Sequence, residues 1–352
     1  SKIGAGAFNN CKNITKIVLN DGITSIGDYA FQNCGMKDFA IPESVNEIGA
    51  YAFYGCTGLT EMHIPNAVTE IKRYTFYGCN KISKLTLSKN TTAIGQYAFY
   101  NCSGVSKLVI PDKTETIGDH AFEGCSKVKA VHIPDSVSSI GSYAFYGCAS
   151  ATTLSIGSGI KAIPAYAFGN CTGLNSVTVP NTVTEIKNAA FYGCNNVTDI
   201  TLPFVGESRT ATGAASAFGY IFGYETSSGN SSNGGSYTYL YDVNGNTKSV
   251  TRSYSYKSDA FVNGLYGYVM SGRDYYYGFD DSSTCKDYAM NKPWYTSYTY
   301  NSYNTYYPQT FVFNIPIGLK TVTITDASKI GAGAFNNCKN ITKIVLNDGI
   351  TS

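Results

Sequence analysis

The sequence predicts a β-solenoid, in which a coil of about 23 residues is repeated and each coil adds one strand to a parallel sheet. A Phe followed three residues later by Cys occurs ten times, and the first nine copies are 23 residues apart except for one interval of 22. An L-x-x-L-x-L segment recurs with the same period. One coil cannot bury its apolar face alone, so stacked neighbours must complete the core.

The strand of each coil is predicted from the apolar spacing of L-x-x-L-x-L, which in one coil consists of Leu59, Met62 and Ile64. The last two apolar residues are two positions apart, so they share one face of an extended strand. One strand per period, always in the same direction, gives a parallel sheet with strands about 4.8 Å apart. The copies lie at 14–19, 36–41, 59–64, 82–87, 105–110, 128–133, 151–156, 174–179, 197–202, 319–324 and 341–346.

The remainder of each coil contains a turn, a second apolar pair and a tight turn. Pro often follows the strand, as at Pro65, and an apolar pair such as Val68 and Ile71 comes next. This part is too short for a normal helix, so we expect a short strand or extended segment there. The Ala-Phe-x-x-Cys piece then predicts a single helical or 3₁₀ turn that directs Phe and Cys inward.

The complete unit, L-x-x-L-x-L-P-x-x-V-x-x-I-G-x-x-A-F-x-x-C, resembles the BspA-like class of bacterial leucine-rich repeats. The resemblance covers about 1–203 and 319–352. It implies a right-handed leucine-rich repeat solenoid with a parallel sheet. It also implies a secreted or surface-attached protein associated with adhesion and with binding of host proteins.

The pattern divides the chain into three parts. Uninterrupted repeats occupy 1–203, and the repeat resumes at 319–352. We interpret 204–318 as an insertion into one coil, rich in Tyr, Gly and Ser, although 216–223 still resembles the Phe-containing half of a repeat.

The insertion has a composition of its own, since 19 of the 30 Tyr residues lie between Tyr220 and Tyr307. Alternation around Asn244-Gly245 predicts a β-hairpin within 237–256. The segment 310–316 predicts a strand that returns the chain to the solenoid. For 257–309 two interpretations stay open, a small Tyr-faced β subdomain and a largely irregular excursion.

The two ends of the sequence are identical, because residues 1–25 recur without change at 328–352. We therefore expect the chain to begin and end inside a longer array. On that expectation both ends expose core residues, and end-to-end stacking of copies in crystals would follow.

The charge balance argues against several classes of function. Lys and Arg number 26 against 24 Asp and Glu, a net charge of +2, so charge alone does not favour nucleic acid or a membrane surface. No apolar run is long enough to span a membrane. No nucleophile elbow, phosphate-binding loop or H-E-x-x-H motif is present, so we predict a protein that is not an enzyme and has no cofactor.

Cysteine and histidine are the residues most able to carry chemistry, and structural roles are favoured for both. The ten repeat cysteines are a whole coil apart, not clustered as in zinc sites, so a buried free thiol is favoured over disulfides and metal. His63 and His132 occupy the same outward position three coils apart, too distant to share a metal. His120 replaces Tyr in a repeated column, and Cys285 has no assigned role.

Two surfaces are candidates for ligand binding. One is the outward face of the long sheet, since solenoids bind through such extended faces. The other is the insertion, since Tyr offers rigid contact area with a polar tip. On the sheet face the candidates are Lys16, Lys37, Glu61, His63, Lys84, Lys107, Lys129 and His132. In the insertion they are Tyr239, Tyr241, Tyr254, Tyr256 and Trp294.

These surfaces lead to two hypotheses. The first is a non-enzymatic scaffold, extracellular or on the cell surface, for adhesion and recognition of a host or matrix protein. The second is a carbohydrate-binding accessory protein whose Tyr-rich insertion stacks on sugars. Deletion of residues 224–310 separates them, because only the second predicts loss of glycan binding while the solenoid still folds.

Overall fold

A computed structural model describes residues 1–211, 213–226, 311–331, 333–335, 338–348 and 350, together with the strand backbones at 237–241, 247–251, 259–262, 265–268, 295–300 and 303–308. The chain forms two units, Ser1–Asn196 and Val197–Ser352, each considered by itself. Both contain coils whose strands pair in parallel, which confirms the predicted solenoid. Helix is limited to two short 3₁₀ segments in the part of the chain described.

The main sheet is built from the L-x-x-L-x-L segments. Its strands pair in register one coil apart, as Glu61 does with Lys84. They have three or four residues instead of the predicted six, because the chain must turn at both ends of each strand. At 14–19 and 36–41 the pairing is limited to one isolated bridge between Lys16 and Asp38. At 105–110 there is no strand either, although Lys129 N still donates to Ser106 O at 3.2 Å. The strands are Glu61–His63, Lys84–Thr86, Ala130–Ile133, Thr153–Ile156 and Ser176–Thr178 in the first unit, and Asp199–Leu202, Thr321–Ile324 and Lys343–Leu346 in the second.

A second sheet is formed by two-residue strands, where a short strand or extended segment was predicted. Each strand ends in Ile, which is buried in every strand except Lys2–Ile3, and Ile71 is paired with Ile94 of the next coil. The strands are Lys2–Ile3, Ser25–Ile26, Glu47–Ile48, Glu70–Ile71, Ala93–Ile94, Thr116–Ile117, Ser139–Ile140, Ala162–Ile163 and Glu185–Ile186.

The third side of each coil is the Ala-Phe-x-x-Cys turn. Ala52 N donates to Gly49 O at 3.3 Å and Cys56 N donates to Phe53 O at 3.1 Å, the three-residue spacing of a 3₁₀ turn. Phe53 N instead donates to Thr75 O of the next coil, at 2.9 Å. The turns are therefore hydrogen-bonded from coil to coil as the strands are, and we call this third side the turn edge.

Phe rings stack in a single file through the core of the first unit. Successive rings such as Phe53 and Phe76 have centroids 5.2 Å apart and planes 5° apart, and both side chains are fully buried. The predicted inward direction of Phe is confirmed. In the one 22-residue coil an additional ring, Phe39, packs against Phe31 and Phe53 at 5.0 and 5.2 Å.

The repeat cysteines from Cys34 to Cys194 are each tied to the preceding coil. Cys79 Sγ donates to the carbonyl oxygen of Phe53 at 3.1 Å, and the same contact recurs from Cys34 to Cys194 at 2.9 to 3.7 Å. The thiol thus fills a small apolar space and links two coils, the structural role favoured from the sequence.

The second unit shows how the solenoid continues around the insertion. Strand Asp199–Leu202 pairs directly with strand Thr321–Ile324, although more than 100 residues separate them in the chain. The 3₁₀ helix Phe218–Phe222 follows another, Gly213–Ser216, and Phe218 N donates to Ala334 O at 2.9 Å. Residues Phe204 to Phe222 therefore supply buried side chains to a coil, while the exact limits of the insertion stay a prediction.

The insertion begins and ends in paired strands. Strand Tyr224–Thr226 pairs antiparallel with Phe311–Phe313, the predicted returning strand. The predicted hairpin strands also pair, Tyr237–Tyr241 with Thr247–Thr251, whereas the Asn244-Gly245 turn lies outside the described residues. Two more antiparallel pairs join Asp259–Val262 to Leu265–Tyr268 and Tyr295–Tyr300 to Tyr303–Pro308.

Candidate interaction surfaces

The outward face of the main sheet carries two columns of exposed side chains. Because strand residues alternate, Glu61 and His63 are exposed on either side of buried Met62. Both columns are counted from the first apolar residue of each L-x-x-L-x-L segment. The first column contains the residue two positions after it, and the second column contains the residue four positions after it. In the first unit the first column is Lys16, Asp38, Glu61, Lys84, Lys107, Ala130, Thr153 and Ser176, and the second is Val18, Ala40, His63, Thr86, Val109, His132, Ser155 and Thr178.

Six of the eight predicted sheet-face residues lie in these columns. Lys37 and Lys129 do not, because each lies one residue before the first column, at the start of its strand segment. All eight are exposed. These two lysines were therefore predicted on the outward face, but the alternation of strand residues places them in neither column.

Charges on this face are partly paired within it. Lys84 Nζ lies 2.5 Å from Glu61 Oε1, one coil away, and His63 Nε2 lies 3.0 Å from Glu43 Oε1. The Lys84 and Glu61 side chains are 74% and 61% exposed, so the pair contributes little to stability. These side chains can therefore exchange their partners for groups on a ligand at small cost.

The same face also exposes apolar side chains. Val18 is 73% exposed and Val109 is 60% exposed, both in the second column. From Thr153 onward both columns of the first unit contain only Thr and Ser. The face thus changes from a mixed charged and apolar surface to a hydroxyl-bearing one.

The predicted insertion residues are only partly within the described chain. Tyr239 and Tyr241 belong to strand Tyr237–Tyr241. Tyr254, Tyr256 and Trp294 lie outside the described residues, as does Cys285. Their role in binding stays a prediction.

A surface that the sequence reasoning did not identify lies along the turn edge, where aromatic rings form two ladders. Rings in the first ladder have centroids 4.3 to 4.8 Å apart and planes within 17° of parallel. The first ladder is Tyr29, Tyr51, Tyr74, Tyr97, His120, Tyr143 and Tyr166. The second ladder begins with Tyr54, Tyr77 and Tyr100, whose centroids are 4.6 Å apart. His120 fills its column, as predicted.

The residues of the first ladder have an unusual backbone conformation. Tyr51 has φ 59° and Tyr74 has φ 57°, and His120 has φ 56°. Non-glycine residues in this left-handed region cost roughly 1–2 kcal/mol each. Stacking on both ring faces and hydrogen bonds such as Tyr51 N to Arg73 O, 3.2 Å, offset that cost. The repeated Tyr column was visible in the sequence, but nothing in it indicated a positive φ.

Stacking leaves only the ring edges and hydroxyls of the ladders facing solvent. Burial raises the pKa of Tyr51 and Tyr77, and neighbouring tyrosines raise it further. A sugar or a planar cation needs a free ring face. An unbroken ladder therefore offers a row of hydroxyls and not a stacking platform.

Both ladder positions depart from Tyr in the same coil, but only the second ladder is interrupted there. Glu123 stands at the second-ladder position between Tyr100 and Tyr146, and its Oε2 pairs with His120 Nδ1. His120 keeps the first ladder stacked, at 4.3 Å from Tyr97 and 4.8 Å from Tyr143. The second ladder has no ring at this coil.

The buried thiols are not suited to nucleophilic or metal chemistry. Burial raises the pKa of Cys56, Cys125, Cys194 and Cys338 to about 12, so these thiols stay protonated at neutral pH. The cysteines of the described chain are free thiols. Over the described ranges, no three His, Cys, Asp or Glu side chains converge as a metal site. No helix in this part of the chain combines the length and hydrophobicity needed to cross a bilayer.

Comparison with known proteins agrees with the repeat architecture. The chain matches the profile described as "BspA type Leucine rich repeat region" in six copies, over residues 1–105, 92–210 and 283–352. No curated protein matches it.

Three solved bacterial structures share 26 or 27% sequence identity with this chain. A leucine-rich repeat protein from Bacteroides ovatus is 26% identical over 57% of this chain and 64% of its own, with a TM-score of 0.44. The leucine-rich repeat protein of T. pallidum is 27% identical over 50% and 78%, with a TM-score of 0.41. A leucine-rich cell surface protein from Faecalibacterium prausnitzii is 26% identical over 59% and 73%, with a TM-score of 0.35.

The chain thus spans less than two thirds of the Bacteroides ovatus protein. Because these TM-scores are below 0.5, the assignment rests on the profile, which covers more than half of the chain, and on the stacked coils. The chain belongs to the family of BspA-type leucine-rich repeat proteins.

Proposed function

We propose that this protein is a non-catalytic recognition scaffold, secreted or held at the cell surface, that binds a partner protein through the outward face of the main sheet. The proposal is supported by a contrast between the inward-facing and outward-facing columns of side chains. The Phe and Cys columns keep one residue type through nine successive coils, whereas the first column changes from Lys to Asp, Glu, Ala, Thr and Ser. A rigid backbone with a variable outer face is how repeat proteins build an extended binding surface.

The chemistry of this face favours a protein partner. Charges of both signs lie beside the exposed Val18 and Val109, a mixture that suits the polar rim and apolar contacts of a protein interface. Location outside the cell is supported by the family and by the cell-surface description of the Faecalibacterium prausnitzii relative. A face that binds a host or matrix protein acts in adhesion when it is displayed on a cell surface.

No observation in the described chain favours the carbohydrate-binding alternative. Ring faces in the first ladder are covered by their neighbours, and of the insertion residues proposed for sugar stacking only Tyr239 and Tyr241 lie within the described strand backbones. The alternative is kept only as an outcome of the experiment.

The test is binding of the chain to purified extracellular-matrix glycoproteins, each used intact and after removal of its glycans. We expect Lys84→Glu with Lys107→Glu to weaken binding about tenfold or more, since both lysines lie in the first column. The matched control is Lys127→Glu with Lys161→Glu, which makes the same change of charge at exposed positions away from the main sheet.

Equal loss in both variants would show that only net charge matters and would contradict the proposal. Loss of binding upon glycan removal would support the carbohydrate alternative instead. Absence of binding to any matrix protein would contradict the adhesive role.

A further inference from the structure

The interruption of the second ladder creates a notch on the turn edge that is separate from the main-sheet face. Glu123 takes the position of a Tyr, so the neighbouring rings, Tyr100 and Tyr146, are two coils apart. Two coil spacings place the backbone positions of these two residues about 9.5 Å apart. Tyr77 stacks on one face of Tyr100 at 4.6 Å, and the opposite face is directed toward the Glu123 coil.

The other wall of the notch leans away from Glu123. A Cβ added to Gly169, in the next coil, would lie 2.6 Å from Tyr146 Cδ2, so this ring rests over the glycine. Asn170 Nδ2 holds it there by donating to Tyr146 Oη at 2.7 Å. The ring therefore does not close the space above Glu123, as a regular ladder would.

The floor of the notch is acidic. Glu123 carries the carboxylate, and Asp119 lies in the same coil, with Oδ1 accepting from Ser142 N at 2.8 Å. After the effect of burial, the charge of Glu123 is a further cause of the raised pKa of both Tyr100 and Tyr146, so the carboxylate acts on both rings. The basic group in contact is the imidazole of His120.

We propose that this notch binds a single cationic side chain of a partner, an arginine or lysine, between Tyr100 and Tyr146 with Glu123 as its counter-ion. A cation one coil spacing from Tyr100, above Glu123, would lie about 4.8 Å from that ring, inside the range of about 6 Å at which a ring face attracts a cation, and Tyr146 would form the farther wall. To engage it, the Glu123 carboxylate exchanges its His120 partner for the guanidinium or ammonium group.

Where the second ladder is regular this site does not form, and at the other position without a ring, Gly169, there is no carboxylate. At Tyr77 the ring faces are covered by Tyr54 and Tyr100, each 4.6 Å away, and no carboxylate occupies that position. The site depends on the paired replacement of both ladder residues in one coil. The proposal can therefore be tested in two ways, by removing the pair from this coil and by introducing it into another coil.

The first experiment is an NMR titration with N-acetyl-arginine amide, using N-acetyl-citrulline amide as its neutral analogue. We expect a saturable shift of the His120 ring signals with a Kd of about 1 mM, and at least tenfold weaker binding of the citrulline compound. His63, which pairs with Glu43 without flanking rings, is the internal control and should not shift. Glu123→Gln should weaken the binding at least tenfold.

The second experiment exchanges the ladder residues and follows the ligand by saturation-transfer NMR. His120→Tyr with Glu123→Tyr restores the regular ladder and should abolish the arginine signal. Tyr74→His with Tyr77→Glu rebuilds the pair two coils earlier, between Tyr54 and Tyr100, and should add a second site.

Equal binding of citrulline, an equal shift at His63, or retained binding after the ladder is restored would each overturn the proposal. No saturable shift of His120 at ten times the expected Kd would also overturn it. None of these results bears on the main-sheet face, so the two proposals fail independently.

Discussion

Individual Tyr residues of the first ladder combine a strained backbone with a favourable ring contact. The first coil has Gly6 at the equivalent position, with φ 64°, which shows that the conformation is required by the coil and not by the ring. Gly adopts this φ without strain, whereas Ala does not. The strain energy of the backbone and the stacking energy of the ring can therefore be measured separately at one position.

We predict that Tyr74→Ala and Tyr74→Gly both lower the free energy of unfolding, by roughly 2–4 kcal/mol for Ala, because each loses stacking with Tyr51 and Tyr97. The Gly variant should be about 1 kcal/mol more stable than the Ala variant, since it relieves the positive φ. Urea unfolding of the two proteins measures the difference. An Ala variant as stable as the Gly variant would contradict the strain argument.

The buried cysteines make stability depend on pH in the alkaline range. In the folded chain burial raises the pKa of Cys56, Cys125 and Cys194 from 9.0 to about 12. Above pH 9 the unfolded chain releases these protons and the folded chain keeps them. Stability is therefore complete below pH 9 and falls as the pH rises toward 12, by about 1.4 kcal/mol per pH unit for each thiol.

Replacement of these three cysteines by Ala should lower stability at neutral pH, yet make the decline above pH 9 about 4 kcal/mol per pH unit less steep. Denaturant unfolding between pH 7 and 10 gives both slopes. Tyr ionisation contributes equally to the two proteins and cancels in the comparison. If the free energy of unfolding declined equally steeply with pH in the two proteins, the thiols would ionise in the folded state as well, which would contradict the prediction.

At the scale of the elements, the sequence was sufficient for the arrangement of each coil. The Phe and Cys period, the spacing of Leu59, Met62 and Ile64 and the second apolar pair predicted the three sides correctly, because each side buries its residues in one direction. The length of the strands was overestimated, since apolar alternation continues through residues whose backbone already turns. Apolar spacing indicates which residues are buried, but it does not indicate where the hydrogen bonding of a strand begins and ends.

The candidate sites were predicted less completely than the coils. Strand alternation assigns Lys84 and His63 to the outward face, but Lys37 and Lys129 lie one position off it. The aromatic ladders were missed because a half-buried Tyr column fits an ordinary surface as well as a stacked one. The sequence did give one signal, the simultaneous change of both Tyr positions to His120 and Glu123 in a single coil.

For the whole molecule, the insertion is the feature whose dependence on the solenoid is open to direct test. In the second unit strand Asp199–Leu202 pairs with Thr321–Ile324 without contribution from the inserted strands. At the base of the insertion Tyr224 is the cross-strand partner of Phe313, and Asn314 N donates to Gly223 O at 2.9 Å. The chain can therefore be closed at this pair by a two-residue turn.

We predict that replacement of residues 225–312 by Asn-Gly leaves a folded chain, because Asn-Gly joins a paired Tyr224 and Phe313 as a tight hairpin. Phe313 is retained because its ring packs against Gly219, where a Cβ would lie 2.3 Å from Phe313 Cβ. The thermal unfolding midpoint should stay within about 4 °C of the parent, a change of roughly 1 kcal/mol or less. Aggregation of the shortened chain would show that the insertion is part of the solenoid core, whereas a folded chain that has lost glycan binding would support the carbohydrate alternative.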